Sequence, residues 1–123
     1  MGQQPESGFQ RSIQREIEKR GGYCVKQHGS MITAVGIPDL LVCYKGMFIA
    51  LEAKVDNNKP SKAQGVNLRN ILKAGGFTAV VWNIKEVKAI LNFIDNELMF
   101  YDNKQLGWRE CLKINNIDIG EKW

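Results

Sequence analysis

The first apolar residues of the chain recur with helical spacing. Phe9, Ile13 and Ile17 stand at i, i+4 and i+8 within ESGFQRSIQREIEKR, residues 6–20, which predicts an amphipathic helix with a narrow buried stripe. Pro5 suits the first helical position, and Gly21-Gly22 end the segment. The pattern then changes period. Tyr23 to Gln27 predicts a short strand, and His28 to Gly36 a loop of small and polar residues. DLLVCY (39–44) and MFIALEAKV (47–55) predict two strands separated by Lys45-Gly46, a gap length that signals a hairpin. Both runs are apolar on alternate residues of either parity, so central strands covered on each side are expected.

DNNKP (56–60) predicts a turn, Ser61 an N-cap, and SKAQGVNLRNILKA a second helix ended by Gly75-Gly76. FTAVVW (77–82) is strongly β-prone, and a third helix follows over 85–97 with Val87, Ile90, Leu91 and Ile94 on its buried face. Tyr23 and Trp82 read as core residues. From 98 to 123 the pattern assigns no elements. Phe100, Tyr101, Trp108 and Trp123 give that tail apolar mass for docking or for a dimer interface. The order α-β-β-β-α-β-α predicts an α/β sandwich, a central mixed β-sheet flanked by helices, in which an antiparallel hairpin feeds a parallel crossover. At 123 residues a single domain over 1–123 is expected, large enough to bury a core without staples.

Composition removes several function classes. Lys+Arg number 17 against 13 Asp+Glu, a net charge of +4, which permits a polyanionic partner without requiring one. No run approaches the roughly 18 to 20 apolar residues that cross a bilayer. The start MGQQPESGFQ lacks the basic and apolar regions of a secretory signal, so a cytoplasmic protein with no membrane partner is expected. Cys24, Cys43 and Cys111 are far apart, no C-x-x-C occurs, and His28 is the only histidine, too few soft ligands for structural zinc. Reduced thiols are expected, with Cys24 and Cys43 buried. No glycine-rich phosphate loop and no Ser/His/Asp set is present.

One strand breaks its own pattern. In MFIALEAKV, Glu52 and Lys54 interrupt an apolar run, and because side chains alternate they share one face while Ile49, Leu51 and Ala53 take the other. If Lys45-Gly46 is the turn, Tyr44 pairs with Met47, and the same register sets Asp39 opposite Glu52, with Cβ atoms about 4.5–5.5 Å apart. Two facing carboxylates on a buried hairpin repel, and a divalent cation resolves the conflict. Hard oxygen donors favour Mg²⁺ or Mn²⁺ over zinc. The plainer alternative is a Glu52–Lys54 salt bridge on an exposed edge strand, with Asp39 capping a loop.

Gly36-Ile-Pro-Asp-Leu-Leu, then twelve residues between Asp39 and Glu52, then Glu52-Ala-Lys54, resembles the PD-(D/E)XK nuclease signature. Lys59-Pro-Ser-Lys-Ala-Gln64 and the opening Glu6-Ser look like the VRR-Nuc branch of that superfamily, the small stand-alone forms of phages and bacteria. The resemblance spans about residues 6–94 and implies a restriction-endonuclease-like fold. By resemblance, Asp39 and Glu52 would ligate Mg²⁺, with Mn²⁺ as substitute and the Ala53 backbone carbonyl as a further ligand. Lys54 would orient the attacking water, and Gln64 would position the phosphate or that water. Gln64 one turn into a helix can equally be a solvated first-turn residue.

The first helix offers Glu6, Glu16 and Glu18. Taking 100° per residue, the apolar stripe centres at about 220°, with Glu6 at about 240° and Glu16 about 60° off centre. Glu6, which also matches the family's opening, is the expected site carboxylate and further metal ligand, with Glu16 second. Lys26, Lys59, Ser61, Lys62 and Arg69 are candidates for contact with a DNA backbone. The resemblance implies a Mg²⁺-dependent endonuclease acting on branched DNA such as Holliday junctions, as a homodimer. A non-catalytic DNA-binding or assembly module on the same fold is the alternative.

Overall fold

A computed structural model of the chain describes residues 6–27 and 35–96. Pro5, the loop from His28 to Ala34, Cys111 and the tail with its expected dimer interface lie outside the described residues. Within them the element order is the expected one: α1 (Glu6–Lys19), β1 (Tyr23–Lys26), β2 (Leu40–Tyr44), β3 (Met47–Ala53), α2 (Lys62–Lys73), β4 (Phe77–Val81) and α3 (Ile84–Asn96). The ends differ from the sequence pattern by a residue or two, as frayed ends do.

The four strands form one mixed sheet in the order β1-β2-β3-β4. β1 with β2 and β2 with β3 are antiparallel, and β3 with β4 is parallel. The hairpin has the expected register, Tyr44 against Met47 through Leu40 against Leu51. Lys45 and Gly46 both take positive φ, 53° and 79°, the two left-handed residues of the type I′ turn whose twist suits a hairpin.

One face of the sheet carries Cys24, Leu40, Val42, Tyr44, Ile49, Leu51, Ala53, Phe77, Ala79 and Val81. These pack with Phe9, Ile13 and Ile17 of α1 and with Val87, Ile90, Leu91 and Ile94 of α3. Side chains of the other parity, including Ala50, Glu52, Thr78 and Val80, are buried too, under the α2 crossover that packs on β3 and β4. A helix about 10 Å across spans only about two strands spaced 4.8 Å apart. On that second face, among the described residues, β1 and β2 are therefore left open.

Three expectations about the strands from β1 to β3 change for this reason. Tyr23 is 67% exposed and Phe48 49%, and with Cys43, also exposed, they form one cross-strand row. The hairpin strands are thus covered on one face along their whole length and on the other only in part. Cys43 is not a core thiol, and Tyr23 is not a core aromatic. Trp82 is half-buried rather than core, lying one residue past β4, where the chain bends into α3.

At the hairpin end, polar groups lock the helices together. Arg20 Nε donates to Glu16 Oε2 at 2.8 Å, while its Nη1 reaches Asn92 Oδ1 at 2.8 Å and Asp95 Oδ2 at 3.4 Å. The Tyr44 hydroxyl donates to Asp95 Oδ1 at 2.6 Å. The bond from Arg20 holds the Glu16 carboxyl below its usual range despite burial. Glu16 thus has a structural partner here. No described helix is long and apolar enough to cross a membrane.

The two described thiols should part company in solution. Burial pushes Cys24 up to about 11, whereas Cys43 is exposed. With an aromatic disulfide reagent and peptide mapping, Cys43 should label at once and Cys24 only on unfolding. Equal labelling rates in the native protein would contradict this placement.

Candidate functional site

Asp39 ends the lead-in to β2, and its geometry is set from three sides. Gly36 has φ +82°, and a Cβ there would lie 2.5 Å from the Ala63 carbonyl carbon. Only glycine allows the lead-in to press this closely on the first turn of α2. Asn67 Nδ2 of α2 donates to the Val35 carbonyl at 3.2 Å, reinforcing that contact. On the β1 side, Gln27 N donates to the Asp39 carbonyl at 2.7 Å.

On the β3 side the ladder continues through side chains. The Asp39 N–H donates to Glu52 Oε1 at 3.2 Å, and the Ala53 N–H donates to Asp39 Oδ2 at 3.0 Å. The two carboxylates expected to face each other are therefore brought together. The salt bridge of the plainer reading exists too, since Lys54 Nζ lies 3.2 Å from Glu52 Oε2. It is not on an exposed edge, however: Glu52 is 0% exposed and β3 is an inner strand. Lys54 is set by its own N–H, which donates to the Val81 carbonyl at 2.9 Å and carries the β3–β4 pairing one residue further.

The electrostatics of Glu52 are unusual for a carboxylate. Burial first, and the neighbouring Asp39 second, push its pKa from 4.5 to about 7, against the pull of Lys54. Oε2 is buried and has no hydrogen bond beyond its ion pair with Lys54 Nζ, although a buried carboxylate normally fills its lone pairs. A hard cation fits this donor set, since Mg²⁺ is commonly held by one or two carboxylates with water and phosphate completing its shell. Among the described residues no cluster of three or more His, Cys, Asp or Glu is present; the carboxylates brought together here are Asp39 and Glu52.

The remaining expected residues are placed less centrally. Ser61 and Gln64 form a reciprocal capping box: Gln64 N donates to Ser61 Oγ at 3.2 Å, and Ser61 N to Gln64 Oε1 at 2.8 Å. Ser-x-x-Gln is itself the capping-box signature, a local meaning that a reading of Gln64 as phosphate ligand passes over. Glu6 stands half-buried in the first turn of α1. No hydrogen bond joins it to Asp39, Glu52 or Lys54, and it forms no ligand cluster with the two carboxylates.

Lys26 pairs with Leu40 and so shares the face of α1 and α3, opposite to Glu52. Lys59 and Lys62 are exposed beside the start of α2. Arg69 is half-buried, with Nη1 buried and without a hydrogen bond. One contact escaped the sequence pattern altogether: Trp82 Nε1 donates to the Asn58 carbonyl at 2.8 Å, tying β4's end to the connection between β3 and α2.

No family model matches the sequence, and the search of curated proteins finds no match. Solved structures do match. A structure described as a VRR_NUC domain is similar over 75% of this chain and 96% of its own, at 29% identity and TM-score 0.61. The chain has the VRR-Nuc fold. Hjc of Archaeoglobus fulgidus, a Holliday junction resolvase, is similar over 63% of this chain and 67% of its own, at 18% identity and TM-score 0.51, a likeness of fold alone. The VRR-Nuc resemblance read from Gly36-Ile-Pro-Asp39 and Glu52-Ala-Lys54 thus agrees with the three-dimensional match.

The raised pKa of Glu52 has a thermodynamic consequence. Folding favours its protonated form, so the stability this group contributes is complete below pH 4.5 and is lost as pH rises through about 7. In chelator, wild type should lose stability relative to Glu52→Gln across that window in urea titrations, by a few kcal/mol. Millimolar Mg²⁺ should restore wild type alone above it. Parallel pH curves for the two proteins would show that Glu52 ionises as freely in the fold as outside it.

Proposed function

We propose that this protein is a divalent-metal-dependent DNA endonuclease that hydrolyses phosphodiester bonds and selects branched DNA, such as Holliday junctions. The observation that carries the reading is the incomplete Glu52 site. A buried carboxylate oxygen without a hydrogen bond stands beside Asp39, with the Lys54 ammonium 3.2 Å away. The likeness to a VRR_NUC domain supports nuclease chemistry, and the fold shared with a Holliday junction resolvase supports a branched substrate.

Asp39 and Glu52 would hold Mg²⁺, or Mn²⁺ in its place, with the Ala53 carbonyl as a third oxygen. When bound, the ion supplies Lewis-acid polarisation of the phosphoryl oxygen and acidifies a coordinated water. Lys54 does the work that needs a mobile cation. Once Glu52 is engaged, its ammonium can turn to the attacking water and to the charge that builds on the phosphoryl oxygens. Gln64, whose Oε1 accepts from the Ser61 N–H, offers its NH₂ group to a phosphate at the start of α2, where main-chain N–H groups also favour an anion.

A basic stripe extends this surface. Lys62, Arg69 and Lys73 are seven and eleven residues apart, which returns each to within about 20° of Lys62's direction on a helix. With Lys59 before them, they line α2 for a DNA backbone. Lys26, on the other face, and Glu6, which makes no bond to the acidic pair, stand outside the proposed set. Symmetric cutting of a junction needs two copies about a two-fold axis, so the reading includes a homodimer.

The test is cleavage of labelled four-way junction, flap, single-stranded and linear duplex DNA in Mg²⁺ or Mn²⁺. Asp39→Ala and Lys54→Ala should each lower the rate by on the order of 10²–10³-fold, with junction binding in EDTA retained by Lys54→Ala. Paired symmetric cuts on the junction support the branched substrate and the dimer. Well-folded wild type that binds these DNAs and cuts none would instead favour the non-catalytic DNA-binding module.

A further inference from the structure

We propose that Trp82 is a positioning residue for this site: its indole N–H holds the β3–α2 connection and thereby sets the start of α2, with Ser61 and Gln64, against Glu52 and Lys54. The inference rests on the nuclease reading for its catalytic consequence, but the strut itself stands on geometry. After Lys54 the chain leaves the sheet through Val55–Pro60, a segment whose Asp56 to Lys59 are all exposed.

Val55 packs against the core at the start of that segment, whereas the exposed Asp56 to Lys59 have little to hold them. Asn58 N donates to the Val55 carbonyl at 3.1 Å, closing a turn, and Asp56 sits at φ 56°, a left-handed conformation that costs an L residue energy. Among the described residues, a single side-chain hydrogen bond reaches the segment, from Trp82 Nε1 to the Asn58 carbonyl at 2.8 Å, across 24 residues of chain.

Trp82 is anchored well enough to serve. Its own N–H donates to Glu86 Oε1 at 2.6 Å, and the Glu86 N–H donates to Asn83 Oδ1 at 3.0 Å, so the tryptophan backbone is built into the cap of α3. The residue before it, Val81, accepts from the Lys54 N–H at 2.9 Å. β4's end therefore fixes Lys54 through one residue and the downstream connection through the next. The body of α2 is seated by buried Gly65, Leu68 and Leu72, whereas its first turn is reached through this connection and the Gly36 contact. A displacement of about 1 Å in such a group can cost about 10²-fold in rate.

The experiment compares wild type with Trp82→Phe, which keeps a ring but loses the N–H, and Trp82→His, which keeps a ring N–H. Two readouts are taken: kcat and KM on whichever DNA wild type cuts, and amide hydrogen exchange across the chain. Trp82→Phe should lower kcat about 10- to 100-fold at little-changed KM. It should also speed exchange over 55–64 while leaving β3 and β4 protected, with Trp82→His closer to wild type in both. Unchanged kcat in an active enzyme, exchange rising throughout the sheet, or loss of folding in both variants would make Trp82 an ordinary packing residue and overturn the inference. If wild type cuts no DNA, the nuclease reading fails, and the exchange pattern alone still decides the strut.

Discussion

Burying one carboxylate against another is the constraint around which this molecule is arranged. Glu52 has no exposed surface, and moving a charged carboxylate out of water costs several kcal/mol even after relaxation. A main-chain N–H on Oε1 returns about 1.5–3 kcal/mol of that cost, and the ion pair of Oε2 with the Lys54 ammonium returns a further part. The remainder appears as a carboxyl that holds its proton to about pH 7. The fold keeps a destabilising group at the point where the proposed cation would relieve it.

A second buried glutamate shows the contrast. Glu16 sits on α1 near the far end of the sheet, with Arg20 on one oxygen and Lys19 near the other. Its carboxyl is held low where that of Glu52 is pushed high. Arg20 passes on to Asn92 and Asp95, and Tyr44 closes the network. The partners described there come from the chain itself, and the network binds α1, α3 and the hairpin together.

The sheet's uneven cover places the site at a boundary. Among the described residues, α1 and α3 share one face, and α2 takes the other. Glu52 lies under α2 on β3, while Asp39 lies at the mouth of β2, whose second face is open among the described residues. The pair is thus covered on one side and more open on the other, an arrangement that would suit the proposed metal and phosphate contacts. The close contact of Gly36 with Ala63 and the capping box at Ser61 and Gln64 bring a helix start to the same boundary.

Much of this was legible in the residues. The alternation of MFIALEAKV and the two-residue gap at Lys45-Gly46 sufficed for the hairpin register, because a strand's period is fixed by covalent geometry and a short turn leaves no slack. That register alone set Asp39 against Glu52. What sequence could not decide depended on width and on neighbours distant along the chain. Whether Tyr23 and Cys43 are core depends on how many strands one crossover helix can cover. Whether Glu16 or Glu6 stands near the acidic pair depends on Arg20 and on a helix 70 residues further on, from which Asn92 and Asp95 reach back. Gln64 read as ligand or as cap depends on what lies beside its helix start. Local periodicity thus determined the elements, their order and the carboxylate pair. The tertiary structure alone decided exposure, charge partners and the Trp82 contact, because burial and pairing belong to surfaces that exist only once distant segments have packed.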